Sequence, residues 1–278
     1  MCIVKQKLST VKRNKPASYE ERFSHTRIAS IDVCEMGNRK HHVAALIELD
    51  VTGVRHKIHQ LNRQNASCIS FNAWLLHTIA RSLKKYPYAS AYLKGKKKRI
   101  LFEDINISML VEKEQKGERI PVPLLIEQAD KIGMEAIGEQ IRTAREQKFG
   151  DKDVVLQRSS GRLEQFYYNL PGFMRRWVWW YILRHPKLAF RKMGNVAITS
   201  IGMMGQVKGW FIPLAVHPVC FGISSITKKP LVVDGEVAIR EVLNMTVLLD
   251  HDVIDGANMA RFISSLSKDL EKGDFFLA

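Results

Sequence analysis

The sequence is short of acidic residues: 28 Asp and Glu stand against 43 Lys and Arg in 278 residues, a formal charge of +15. A basic balance of that size suits nucleic acid, an anionic membrane or a phosphate-bearing small molecule. The signatures of the first are missing. No zinc-finger spacing, ribonucleoprotein-type aromatic motif or basic zipper occurs, so nucleic acid is not an expected partner. Cysteine is also scarce: Cys2, Cys34, Cys68 and Cys220 are scattered, with no C-x-x-C pair and no histidine at ligand spacing. That argues against a metal site or a disulfide framework and for a reducing compartment. Long apolar runs are lacking too. No window approaches the roughly 18 apolar residues of a membrane span, and the N-terminal MCIVKQKLSTVKRNK has no apolar core of the secretory kind. A cytoplasmic location is expected.

What is present is ordinary for a globular protein, with 46% apolar and 26% charged residues and enough length for a real core. Residues 1–20 are polar and basic and read as a poorly ordered arm. From about Ile28 the pattern looks strand-like, and His42–Leu49 is a good strand. Asp50-Val51-Thr52 starts a helix whose stripe is Val54, Ile58 and Leu61, leaving His56 and His59 toward solvent. Ser70 caps a second helix carrying Phe71, Trp74, Leu75, Ile79 and Leu83, which Pro87 closes. The run Lys94-Gly95-Lys96-Lys97-Lys98-Arg99 reads as a solvated turn, with anion binding as the sharper option. Ile105–Val111 alternates like a central strand, and Ile120–Ile126, with Pro121 and Pro123, like an edge strand. A helix with Met134, Ile137, Ile141 and Ala144 then runs to about Gly150. No linker or repeat divides residues 21–278, which read as one domain.

Residues 159–194 differ in character. Helical spacing continues through aromatic residues, among them Trp177, Trp179 and Trp180, with Pro171 as a kink. From Pro171 to Gly194 there are six Lys or Arg and no acidic residue. The segment suits a helix pair over the core or an interface, a substrate lid or acyl-chain pocket, or an interfacial membrane helix using residues 171–192.

Beyond it, Val196–Gly202 and Val219–Ile223 read as strands. Val232-Val233-Asp234-Gly235-Glu236-Val237 reads as a hairpin, because Asp-Gly favours a type I′ turn. The apolar run Val242–Leu249 is a buried strand, and Met259, Phe262, Ile263, Leu266 and Leu270 mark a closing helix. Between them lies His251, at a strand end, with Asp255 and Gly256 behind it. A strand holds such a histidine rigidly enough for acid/base work.

His251-Asp252-Val253-Ile254-Asp255-Gly256 fits an H-x-x-x-D-G motif. With His42-Val43, Glu48–Thr52, Ser70–Ala73, Ile198–Gly202 and Lys229-Pro230 in order, the chain resembles the catalytic domain of the dihydrolipoamide acyltransferases of 2-oxoacid dehydrogenase complexes. It resembles chloramphenicol acetyltransferase more distantly. The resemblance implies an α+β fold, a mixed β-sheet covered by helices, in a homotrimer with active sites at subunit interfaces. It also implies acyl transfer through coenzyme A or acyl-CoA. By carry-over His251 is the general base, Thr199 the oxyanion donor where the family has serine, and Ser200 the fallback hydroxyl. Asp255 is then a structural aspartate, with Arg27 as its expected partner and Gly256 beside it. Lys94–Arg99 and Arg175/Arg176 are candidate contacts for the phosphates of coenzyme A. No lipoyl domain is evident, so a lipoyl-bearing protein in trans is a possible partner. Asp252 departs from the family, where a basic residue is common.

Overall fold

The computed structural model describes residues 19, 20, 23, 25–64, 69–115, 118–147, 167, 169–202, 205 and 207–273. Helix α1 (His25–Gly37) leads into β1 (His42–Asp50), α2 (Thr52–Gln64) and α3 (Phe71–Lys85). A short hairpin follows, β2 (Tyr92–Lys94) with β3 (Lys98–Ile100), then β4 (Ile107–Gln115), β5 (Glu118–Ile126) and α4 (Met134–Glu146). Helices α5 (Gly172–Arg184) and α6 (Pro186–Met193) precede β6 (Val196–Ser200), β7 (Val219–Val233), β8 (Glu236–Asp250) and α7 (Gly256–Lys272).

One six-stranded sheet organises these elements in the order β1-β8-β7-β6-β4-β5. It is mixed: β6 runs parallel to both β4 and β7, and the other neighbours are antiparallel. Because side chains alternate across a strand, Val196 and Ile198, Phe221 and Ile223, and Leu243 to Leu249 at every second position share one face. That face packs against Val54, Trp74, Ile79, Ile137, Phe262 and Leu266 of α2, α3, α4 and α7. Each such fully buried large side chain contributes about 1.5–3 kcal/mol. The opposite face carries smaller or polar residues, including Ala197, Thr199, Cys220, Gly222 and Thr246, and the irregular segment 207–216 lies over part of it. There Trp210 Nε1–H donates to the Ile47 carbonyl at 2.9 Å and the Thr246 hydroxyl donates to the Phe211 carbonyl at 2.8 Å.

The expected α+β class, mixed sheet and most elements are found, including the Ser70 cap, whose Oγ accepts the Ala73 N–H at 3.1 Å. The stretch from Ile28 is different. It is helical, because Ala29, Asp32 and Met36 form its buried stripe at helical spacing. Asp32 occupies an apolar position and hides the pattern. Its carboxylate accepts from Arg175 Nε at 2.7 Å and from the Tyr167 hydroxyl at 2.8 Å.

These bonds fasten α5 to α1 and create a second small core of Met36, Tyr92, Trp179, Ile182, Ala189 and Met193. Trp179 is buried and donates Nε1–H to the Tyr167 oxygen at 2.9 Å, whereas Trp177 and Trp180 are exposed. Pro171 precedes α5 as its N-cap, so it starts a helix where a kink was expected. The remainder of the segment that falls on residues 159–166, and the arm at 1–18, lie outside the described residues. Gly194 turns the chain from α6 into β6 at φ +75°, and a Cβ there would lie 2.3 Å from the Asn106 carbonyl oxygen. Only glycine fits that return.

Replacing Asp32 by alanine removes the anion that pairs with the mostly buried Arg175 guanidinium and accepts the Tyr167 hydroxyl. Asp32→Ala is expected to cost about 2–3 kcal/mol in urea unfolding, and a loss below about 0.5 kcal/mol would contradict the role given to this cluster.

Candidate active site

Strand β8 ends at Asp250, which is fully buried. Its backbone N–H donates to the Pro218 carbonyl at 2.9 Å, and its carboxylate accepts Lys40 Nζ–H at 2.7 Å and the Asp252 N–H at 3.2 Å. A tight turn follows. The His251 N–H donates to the His41 carbonyl at 2.9 Å, and the Val253 N–H closes back on the Asp250 carbonyl at 3.1 Å. Arg99 donates through Nη1 to the Val253 carbonyl at 2.8 Å while its guanidinium lies 3.9 Å over the Tyr88 ring. Asp255 then caps α7, accepting the Asn258 N–H at 2.9 Å and Asn258 Nδ2–H at 2.7 Å. The Asn258 N–H holds the Asp255 carboxyl below its ordinary range. His251 is thus exposed on a corner whose backbone is fixed on both sides.

Two residues of this corner, Lys40 and Arg99, went unmarked by sequence pattern as positioning residues. Arg99 lies in the basic run, yet nothing local separates it from its neighbours. Lys40 finds its partner 210 positions away.

Two other expectations change. Asp255 is engaged by Asn258 at the start of α7, where Arg27 was the expected partner, and the Arg27 guanidinium stands 6.0 Å over the Phe23 ring. Gly256 opens α7, but a Cβ there would meet no atom of the described residues within 4 Å, so packing among them does not demand glycine. The candidate phosphate contacts also divide. Arg175 is occupied by Asp32, and Arg176 Nε is 3.4 Å from Glu35.

Thr199 is the second half-buried candidate, three residues into β6 and paired with Gly222, which pairs with Thr246. Thr246 is five positions before His251 and two strands from Thr199. At a rise of about 3.3 Å per residue and about 4.8 Å between strands, Thr199 and His251 lie on the order of 20 Å apart in one chain. Ser200 is one register step further from the corner. The chain therefore presents the two groups at separate places. On the sheet face that carries Thr199 the covering is incomplete: Leu46 and Leu110 of that face, and Ile212 and Leu214 of the segment over it, are 41–61% exposed.

Behind the corner, buried His217 donates Nε2–H to the Met193 carbonyl at 2.9 Å, and its own carbonyl accepts His42 Nε2–H at 2.9 Å. Among the described residues no group of His, Cys, Asp or Glu could hold a metal ion, and no helix is long and apolar enough to cross a membrane.

Residues 18–155 and 184–278 match the model of the 2-oxoacid dehydrogenases acyltransferase catalytic domain. The chain belongs to this family. The unmatched stretch between them falls on the aromatic, basic segment. A similar relative is the lipoamide acyltransferase component of the branched-chain alpha-keto acid dehydrogenase complex of Bacillus subtilis, 25% identical over 84% of this chain and 47% of that protein. The chain thus spans about half the length of the curated relatives it matches. Two solved structures share the fold. A probable dihydrolipoamide acetyltransferase from Listeria monocytogenes has TM-score 0.65, 19% identity, and coverage of 93% of this chain and 96% of that one. The cubic core of a pyruvate dehydrogenase multienzyme complex has TM-score 0.67, 18% identity, and coverage of 98% and 100%.

Burial pushes the His217 imidazole down from 6.5 to about 4. Between those values the unfolded chain binds the extra proton, so native stability is expected to fall as pH drops through this window, by about 3 kcal/mol in full. Urea midpoints measured from pH 7 to pH 4 should show a shallower decline for His217→Gln, which keeps a donor for Met193. An unchanged slope would contradict the assignment.

Proposed function

We propose that the chain is an acyltransferase working through thioesters, with acyl-coenzyme A and a thiol such as dihydrolipoamide as its substrates. His251 of one subunit acts as base, and the Thr199 hydroxyl of a neighbour acts as oxyanion donor. The carrying observation is the pairing of a rigidly held His251 with a Thr199 on the order of 20 Å away in the same sheet. Family membership supports the reaction type. The half-covered apolar residues around Thr199 support a second subunit closing over that face in a homotrimer, which can build larger cores as in the cubic relative.

The chemistry follows from the groups present. A thiol with pKa near 8.5 is mostly protonated at neutral pH. His251 takes the S–H proton as the sulfur attacks the thioester carbonyl carbon. The carbonyl oxygen becomes an oxyanion and accepts a hydrogen bond from Thr199. Collapse re-forms the carbonyl, expels the original thiolate and returns the proton to it from His251. Base catalysis contributes about 10²–10⁴ in rate, and a preorganised donor about 2.7–4 kcal/mol. Threonine supplies the same O–H as serine with one added methyl. The surplus of Lys and Arg suits the phosphates of coenzyme A, a lipoyl domain on another protein can serve as acceptor, and a cytoplasmic setting fits the cysteine usage.

Transfer from acetyl-coenzyme A to dihydrolipoamide, followed by thioester absorbance, tests this. His251→Ala is expected to lower kcat about 10²–10⁴-fold and Thr199→Val about 10²–10³-fold, with Thr199→Ser within a few fold of the parent. Full activity in His251→Ala would overturn the proposal.

A further inference from the structure

Beside the His251 corner lies an open cleft of about 620 Å³. Asp252, the residue after His251, forms part of its wall, and so does Lys40, the anchor of Asp250. The apolar wall comes from Met36 of α1, Leu93 of β2, and Trp180 and Leu183 of α5. Trp180 and Leu183 belong to the stretch that the family model leaves unmatched. Part of the apolar wall thus comes from residues outside the family-model match.

Its charge is one-sided. Arg39, Lys96 and Arg184 line it together with Lys40, against the single acid Asp252. Lys40 is committed to Asp250 at 2.7 Å. The other three cations are available. Lys96 has no ion-pair partner among the described residues, and Arg184 rests 5.3 Å over the Trp180 ring. Arg39 reaches Glu35 only at 3.9 Å on an exposed helix face, a contact worth little. Asp252, hydrogen-bonded to His41 Nδ1 at 3.0 Å, offsets one of these charges and leaves the lining with a net positive balance.

A concave apolar wall with a few convergent cations is the usual composition of a small-molecule site, and guanidinium groups match phosphate or carboxylate oxygens in pairs. The geometry points to a substrate-selecting site: the cleft binds an anionic amphiphile, with an apolar chain or ring against Leu93, Trp180 and Leu183. Its phosphate or carboxylate rests on Arg39, Lys96 and Arg184. Resting on the acyltransferase reading, this assigns the variable substrate of the His251 reaction to that chemical class.

Titration calorimetry on the full chain decides it, using dodecyl phosphate, inorganic phosphate and uncharged dodecyl maltoside below their micellar concentrations, and coenzyme A without an acyl group. Dodecyl phosphate is expected to bind at least tenfold more tightly than the other three. The double variant Lys96→Glu/Arg184→Glu and, separately, Trp180→Ala should each weaken it at least tenfold. All of these positions line an open surface, and circular dichroism checks that the variants fold. Equal binding of the maltoside reduces the cleft to a greasy surface and overturns the proposal. So does equal binding of coenzyme A lost in the charge variant, which makes this a coenzyme site. Binding unchanged in both variants overturns it as well. No turnover is needed, so specific binding by a protein without transfer activity sinks the acyltransferase reading alone. Transfer without such binding sinks the cleft alone.

Discussion

Lys40 and Asp250, 210 residues apart in sequence, meet in a largely buried ion pair at the end of β8, and the geometry of the site depends on it. Removing either partner would strand a charge in a desolvated place, which is far more costly than losing a surface pair. The pair joins the loop between α1 and β1 to the turn after β8. His41 and His251 then bond through their backbones, and Arg99 secures the far side of the turn. His251 is positioned by main-chain contacts and its side chain is left to solvent. Such an arrangement suits a group that must meet a reactant arriving from outside the chain.

The sheet imposes the complementary constraint. Register along β6, β7 and β8 keeps Thr199 away from the His251 corner by a distance no hydrogen bond spans, and slipping it by one residue would turn each strand's apolar set to the wrong face. A single chain therefore does not bring Thr199 and His251 to one point. The small side chains and exposed apolar residues near Thr199 fit a surface finished by another subunit.

Much of this was legible in the sequence where the signal is local. Alternation along 242–249, the Ser70 cap and the helical stripe ending at Leu270 all describe interactions within a few residues. So does the Asp-Gly hairpin, where Asp234 and Gly235 both take positive φ as a type I′ turn requires. His251, Thr199 and Asp255 stand out as candidates in the sequence because the family motif travels with that local order. What escaped was long-range and polar. Asp32 occupies a buried position on α1 because Arg175 of α5 neutralises it and the Tyr167 hydroxyl donates to it, and no periodicity test admits a carboxylate as a core residue. Lys40 and Arg99 look like any other members of a basic chain until the fold brings their acceptors to them. The cleft beside Asp252 was invisible for the same reason: its walls come from α1, the β2–β3 hairpin and α5.

Assembly of a shared site is tested most directly by mixing two inactive chains. Co-expressed His251→Ala and Thr199→Ala subunits, purified as mixed oligomers, are predicted to recover about one quarter of wild-type activity, because random closure of a threefold ring pairs an intact histidine with an intact threonine at about one site in four. Activity no greater than that of the two parent variants would contradict it.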